Sequence, residues 1–362
     1  MLTSLRIQNF RSIRDASVKL GQVNLFIGPN NSGKSNFLKG VEVAAYSVRS
    51  LPTGYSLDEK LFDALLPRNS GIAKRSILFD IELTNVIGQT SSYFLKFDNN
   101  STGQGEITPL SEEDSHEALF ASLGRGVTQR VHNIKSLFSS TKLYKIEPAG
   151  FALSTALSDE AALSPNGENI AAFIYTLSQN EENRFAQLRS DFARCVGTLT
   201  SLTTPPDPDK KGNLKLKFFD PQGNSYWAEE VSEGVLYFLA LLCIVHQPDP
   251  PKLLLLEEPE KGIHPRRIRE VMDFIFELAR LRDIQIILTS HSPYVVDHFK
   301  DIPECISVFD RDPKTGETVI NNAKDLIDKT NAERKLDELP EVDYTSSLGE
   351  YWVSGFLGGV PL

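Results

Sequence analysis

Cysteine is scarce in this sequence: three residues, Cys195, Cys243 and Cys305, in a chain of 362. An odd number at wide spacing excludes a disulfide framework and offers no paired spacing for zinc, so ordinary reduced thiols in a cytoplasmic protein are expected. Long apolar runs are also missing. The most apolar helix-like stretch, VLYFLALLCIV from Val235 to Val245, falls short of the roughly 18 residues that a membrane span needs. The opening MLTSLRIQNF lacks a basic region followed by an apolar run and a cleavage site, so no signal peptide is expected. No heptad pattern lasts the roughly three to four repeats of a coiled coil, and there is no internal repeat. Positive charge is not in excess: 38 Lys+Arg stand against 48 Asp+Glu, a formal net charge of -10. That balance gives no global field to attract nucleic acid, and leaves only a local basic patch open.

What the chain does have is enough length and apolar content for one large domain or two ordinary ones, and a single body carrying an insertion is the economical reading. Leu5, Ile7 and Phe10, then the burst VNLFIG from Val23 to Gly28, read as two strands. The second ends abruptly in GPNNSGKS, after which Phe37, Leu38, Val41 and Ala45 are spaced as one face of a helix. Between Pro52 and Pro148 the pattern changes. RSILFDIEL and SSYFLKFDNN alternate like strands, and the turn-rich NNSTGQG leads into EITPL, which predicts a hairpin-rich lobe. The stretch from Ser111 to Ser140 is mixed. Ile170, Ile174 and Leu177, then Phe185, Leu188, Phe192 and Val196, recur at helical spacing and predict a small helical subdomain. TTPPDPDKKGN, residues 203 to 213, reads as an exposed loop and LKLKFF as a strand. Its Lys215 and Lys217, with Lys210 and Lys211, form either a solvated strand edge or a nucleic-acid patch. The segment beyond residue 320 is acidic, and its ending LGEYWVSGFLGGVPL is apolar enough to pack.

The chemistry concentrates in four places. GPNNSGKS, residues 28 to 35, fits G-x-x-x-x-G-K-[ST], the phosphate-binding loop. Its glycines let backbone N–H groups turn inward around phosphate oxygens, Lys34 offers a point charge to the β and γ phosphates, and the Ser35 hydroxyl can ligate Mg²⁺. The following helix adds the positive end of its dipole. With ordinary Gly, Lys and Ser/Thr usage, a chance match in a chain this long has a probability of about one per cent. The nucleotide-binding set is therefore Gly28, Asn30, Asn31, Ser32, Gly33, Lys34, Ser35 and Asn36. KLLLLEEPE reads as a strand buried on both faces, which delivers its acids to the carboxyl edge where ligands sit in parallel sheets. Successive strand residues point to opposite faces, so Glu257 is assigned to Mg²⁺, directly or through water, and Glu258 to the attacking water. A purely structural pairing of both glutamates with lysines is the alternative. IQIILTSH ends in the same way and brings His291 to that edge, placed to donate toward a γ-phosphate. VSEGV, residues 231 to 235, starts the apolar helix: Ser232 can cap it, and Gly234 lets a phosphate approach its first amides.

In this order, GPNNSGKS, VSEGV, LLLLEEPEKGIHP and LTSHSP resemble the ATP-binding-cassette ATPases of the RecF, SMC and OLD type. The opening LRIQNFRSIRDASVKL is similar to the start of those proteins, and NGENIAAFIYTL with the LGEYW ending looks like a stand-alone AAA subgroup of them. The resemblance implies an α/β fold: a P-loop ABC-type ATPase head with a β-hairpin-rich lobe and an inserted helical subdomain. A split core over 1–46 and 210–320, an insertion over 47–209 and a packed tail over 321–362 are expected. It also implies a Mg²⁺-dependent ATP hydrolase. Two copies would meet head to head around two ATPs, with Ser232, Glu233 and Gly234 of one reaching the γ-phosphate held by the other.

The motifs depart from the family in two places: the signature reads VSEGV where transporters have LSGGQ, and the metal acid is Glu257 where many relatives have Asp. The resemblance leaves the Q-loop unassigned and offers Arg11 as a candidate adenine contact. No long coiled coil points to an SMC-type tether, and after residue 310 too little chain follows for the Toprim nuclease domain fused in OLD proteins. The leading expectation is a cytoplasmic homodimer, with higher oligomers open. It would act as an ATP-driven switch for a separately encoded effector, a nuclease by preference, in anti-phage defence or DNA maintenance. A RecF-like clamp acting on DNA directly is the alternative. An ABC transporter subunit and a nucleotide-binding scaffold with negligible turnover stand behind them, and no membrane contact is expected.

Overall fold

The computed structural model describes residues 1–49, 65–66, 76–85, 88–98, 105–110, 125–158 and 160–359. The turn over residues 99–104, most of the stretch over 111–124 and the last three residues of the expected packed ending lie outside the described residues. Two compact units make up the chain: Met1–Thr141 with Gln285–Leu362, and Lys142–Ile284.

The first unit opens with β1 (Leu2–Phe10) and β2 (Ile13–Lys19), an antiparallel hairpin that pairs Leu5 with Val18 and Ile7 with Ala16. β3 (Val23–Ile27) is buried at every residue, and α1 (Lys34–Arg49) follows it. β4 (Ser76–Thr84), β5 (Thr90–Asp98) and β6 (Gly105–Leu110) extend the hairpin into a five-stranded antiparallel sheet, order β2-β1-β4-β5-β6. The predicted hairpin strands are thus present, yet they are hydrogen-bonded to the N-terminal strand. Their alternating faces explain this: Ile77, Phe79 and Ile81 bury the same side as Leu5 and Ile7, so one sheet covers one core. α2 (Arg125–Phe138) packs on α1, and Arg49 Nη1 donates to the carbonyls of Ser139 and Thr141.

The second unit begins with β7 (Leu143–Tyr144) and β8 (Thr155–Ala156), then α3 (Ile170–Asn180) and α4 (Glu182–Val196). β9 (Ser201–Thr203), β10 (Asn213–Leu214), β11 (Lys217–Phe219) and β12 (Ser225–Trp227) are short. LKLKFF, expected as one strand, is two: Leu214 pairs with Thr155 of β8, whereas β11 lies between β9 and β12. α5 (Glu233–Val245) is buried from Gly234 to its end, which is why its sequence is apolar all round. β13 (Leu253–Glu257) pairs in parallel with β7, and α6 (Pro265–Arg282) closes the unit, its Phe274 edge-on to Phe238 at 5.2 Å.

The chain then re-enters the first unit as β14 (Gln285–Thr289), α7 (Pro293–Asp297), β15 (Ile306–Arg311), β16 (Thr318–Asn322), α8 (Ala323–Leu336) and α9 (Leu348–Val353). β3 lies between β15 and β14, both parallel to it, and β16 is antiparallel on β15. α1 fills the space between this parallel group and the antiparallel sheet. Its Phe37 ring stands edge-on to Phe26 (5.5 Å) and Phe309 (5.8 Å), while a side chain at Gly40 on its other face would meet Ile7. In the tail α9 lies on α7, and the Gly349 N–H donates to Asp297 Oδ1 at 2.8 Å.

These units do not follow the boundaries that the motifs suggested. Residues 47–141 belong with the N-terminal strands, and the phosphate-loop segment and residues 253–258 fall in different units.

Candidate nucleotide site

In the first unit β3 runs out at Ile27 and the chain turns through a loop with three left-handed residues, Gly28 (φ 142°), Asn31 (φ 64°) and Gly33 (φ 113°). Gly28 and Gly33 are obligatory on two counts. A β-carbon at Gly28 would collide with the Phe309 carbonyl and one at Gly33 with the Thr318 side chain, besides the strain of positive φ. α1 starts at Lys34, two residues before the sequence pattern suggested. Lys34 is 5% exposed, and its Nζ donates to the carbonyls of Gly28 (2.7 Å) and Pro29 (2.9 Å), so the ammonium lies inside the loop. Ser32 is buried, and among the described residues its Oγ has no hydrogen-bond partner. Asn30 and Ser35 are exposed and Asn36 half-buried.

Asn36 anchors the loop sideways. Its Nδ2 donates to Ser12 Oγ at 2.9 Å, its Oδ1 accepts from Arg11 Nη1 at 3.2 Å, and Ser12 Oγ meets Thr318 Oγ1 at 2.9 Å. Arg11, the candidate adenine contact, is therefore tied to the loop through Asn36. Ser12 and Thr318 went unnoticed in the sequence because a hydroxyl in a hairpin turn and another at the start of a strand carry no signal. β14 ends beside β3, with Thr289 in register with Phe26 and the Ser290 N–H donating to the Phe26 carbonyl at 3.1 Å. His291, the next residue, is half-buried, so the structure brings the loop and His291 to one edge of the parallel group.

In the second unit Glu257 ends β13 and Glu258 leaves the strand in the left-handed region, φ 48°. The argument that the two acids alternate across a strand therefore does not hold at Glu258: a turn, closed by Lys261 N–H onto the Glu258 carbonyl at 3.0 Å, sets its direction. A glutamate held at positive φ is costly and is found where surrounding structure imposes it, typically at functional sites. Lys145, carried beside Glu257 by the β7–β13 pairing, has its Nζ 3.8 Å from Glu257 Oε2. That is the lysine contact which the structural alternative called for, but Lys145 is 46% exposed and a pair of this length contributes at most about 1 kcal/mol.

Ser232 is the residue before α5, yet its side chain does not cap the helix. Its Oγ instead accepts from Arg267 Nη1 at 3.2 Å, so the expected cap is replaced by a link to α6. Glu233 turns its carboxylate onto the backbone of Gly262 (φ 80°), where a β-carbon would lie 2.6 Å from its Oε2. Gly234 has ordinary helical geometry, and the nearest atom to a β-carbon there would be Arg267 Cδ at 3.7 Å. A cavity of about 590 Å³ adjoins the motif, lined by Ser232, Val235, Arg267, Glu230, Tyr226 and Asp220. The lysines of LKLKFF are engaged: Lys215 Nζ donates to Glu229 at 2.7 Å, and the Lys215 and Lys217 ammonium groups lie 5.2 and 4.9 Å from the Trp227 ring centre.

This fold and these motifs define a P-loop ATPase head of the ABC type. Over residues 23–297 the chain matches the family described as "AAA domain, putative AbiEii toxin, Type IV TA system", and over residues 1–44 the "AAA ATPase domain". The chain belongs to the first of these families. Among solved structures it is similar to the SMC head domain from Thermotoga maritima, at 14% identity and a TM-score of 0.50, covering 89% of this chain and 98% of that one. It is also similar to the Pyrococcus furiosus Smc head domain with an extended coiled coil bound to the C-terminal domain of ScpA, at 13% identity and a TM-score of 0.53, covering 92% and 99%. Both likenesses concern the fold. A curated relative, the uncharacterized ABC transporter ATP-binding protein YhcH of Bacillus subtilis (strain 168), is 41% identical over 49 residues, 14% of this chain, and the match spans 15% of that protein's length. Among the described residues no helix is long and apolar enough to cross a membrane.

Proposed function

We propose that the protein hydrolyses ATP to ADP and phosphate with Mg²⁺, and that two copies close around two ATPs as a switch for a separately encoded effector, with a nuclease as the candidate. The observation that carries the reading is the phosphate loop. Three left-handed residues shape it, Lys34 brings a buried positive charge, and among the described residues the buried Ser32 Oγ lacks a partner that a phosphate oxygen would provide. The Ser35 hydroxyl and the Glu257 carboxylate are hard oxygen ligands of the kind Mg²⁺ takes. When bound, the ion neutralises phosphate charge. In this reading Lys34 and the loop amides hold the β and γ phosphates, and Glu258 accepts the proton of the attacking water. His291 donates toward the γ-phosphate, and Ser232 and Gly234 meet it from the second copy.

The family description, which names a toxin and a toxin–antitoxin system, supports a paired second protein. The test uses Glu258→Gln. Steady ATP turnover should fall at least about 100-fold while a fluorescent ATP analogue still binds, and sedimentation should show a dimer with ATP and a monomer with ADP. Undiminished turnover would remove Glu258 from its role, and an ATP-independent sedimentation profile would remove the switch.

A further inference from the structure

The strongest unexplained group in the second unit is Arg267. It lies in the first turn of α6, a turn that contains no acidic residue and is followed closely by Arg269, with Arg266 beside it. Cations are disfavoured at that end of a helix, because the helix dipole is positive there. Arg267 is exposed, and among the described residues no carboxylate pairs with it; its polar contact is with Ser232 Oγ. Glu230 and Asp220 line the adjoining cavity, and three neighbouring facts set the character of the face that Arg267 shares with Ser232. The Ser232 hydroxyl, which would normally cap α5, accepts from the guanidinium and gives the first amides of α5 no cap. Glu233, the one acid of the motif, is turned away onto Gly262. Gly234 keeps that face bare, although neither its φ nor the space around it demands glycine, since the nearest atom is 3.7 Å from where a β-carbon would stand.

We propose that Arg267 is a phosphate-binding residue of the signature: with Ser232 and the α5 amides it engages the γ-phosphate of the ATP held by a second copy of this chain. The inference rests on the reading that Ser232 and Gly234 meet that phosphate. It adds the positive charge that VSEGV itself does not contain. A guanidinium offers a planar fork that matches phosphate oxygens and cannot lose its charge. Placed there it distinguishes ATP from ADP, because ADP has no oxygen at that position. It also gives charge stabilisation at the group being transferred, the kind of contribution that grows as the bond to the leaving phosphate breaks.

The experiment compares Arg267→Ala, Arg267→Lys and Ser232→Glu in the full chain. It measures ATP turnover, binding of a fluorescent ATP analogue, and ATP-dependent dimerisation in the Glu258→Gln background. Arg267→Ala should leave analogue binding to its own phosphate loop within about twofold, lower turnover about 100-fold and abolish the ATP-dependent dimer. Arg267→Lys should recover part of both, since a point charge replaces the fork incompletely. A merely structural arginine would change the thermal midpoint and all nucleotide binding together, and would not separate binding from dimerisation. Turnover and dimerisation of Arg267→Ala within about threefold of wild type, with Ser232→Glu inactive in both, overturn the assignment of Arg267 alone. If Ser232→Glu is also unaffected, the parent reading of the signature falls with it.

Discussion

Gln285 grips Leu2 from both sides: its Oε1 accepts from the Leu2 N–H at 2.8 Å and its Nε2 donates to the Leu2 carbonyl at 2.6 Å. The same Nε2 also donates to the Gly21 carbonyl at 2.7 Å, and the side chain is only 4% exposed. One amide thus fixes the starts of β1 and β14 and the turn before β3. Gln285→Ala leaves a buried N–H and two carbonyls without this partner and should cost about 2–4 kcal/mol in urea denaturation. A loss below about 1 kcal/mol would mean that water replaces the amide without penalty.

Glu258 sits at φ 48°, where a side chain is strained. Glu258→Gly should relieve that strain by about 1–2 kcal/mol and return roughly half of it as unfolded-chain entropy. The variant is therefore expected to melt slightly higher than wild type, by about 1–3 °C, while losing turnover. Stability and activity moving in opposite directions is the signature sought in paired calorimetry and phosphate-release assays. Lower stability would show that the Glu258 side chain is held by favourable contacts.

Gly33 has no room for a methyl group because Thr318 occupies the space. Gly33→Ala should reduce nucleotide affinity at least about 10-fold, since both strain and collision deform the loop. Pairing it with Thr318→Ala, which removes both Oγ1 and the methyl group from the collision, should recover part of the affinity. Titration calorimetry of both variants decides, and equal affinity for Gly33→Ala and wild type would contradict the loop geometry.

His246, 2% exposed, contacts Asp191 Oδ2 at 2.9 Å and Arg282 Nη2 at 3.2 Å. Burial, assisted by Arg282 and opposed by Asp191, holds its pKa below the ordinary histidine value of 6.5. In the unfolded chain the imidazole takes up a proton as pH falls past that value, whereas in the folded protein it resists. The unfolded state then binds more protons, so this stabilisation is present above about pH 6.5 and is lost as pH falls toward the folded value. Thermal midpoints between about pH 7.5 and 5.5 should therefore fall more steeply for wild type than for His246→Gln. Parallel curves would assign the acid sensitivity to other groups.

Local patterns were the legible part of this protein. Strand, glycine loop and helix around Lys34 could be read directly, as could the buried run of β13, because period and turn chemistry are encoded within a few residues. The partners of β4 could not. Pairing Ile81 with Leu5 is a choice of register between distant segments, and an alternating strand fits many neighbours equally well. Glu258 was misread as strand because nothing in LLLLEEPE announces a left-handed residue. Ser232 was read as a cap from its position alone, and the competing donor, Arg267, lies 35 residues away in sequence.

The walls of the phosphate loop have a consequence for synthesis. Gly28 rests against Phe309, Gly33 against Thr318, and Ser12 bonds to Thr318 across 306 residues of sequence. A growing chain makes the nucleotide motif before its walls, with the whole second unit emerging in between. Contacts of such separation form late and slowly. A ribosome-bound chain that has not yet emerged past β16 therefore carries the motif in its sequence without the rigid shape that gives it meaning, and nucleotide capture awaits the emergence of that strand.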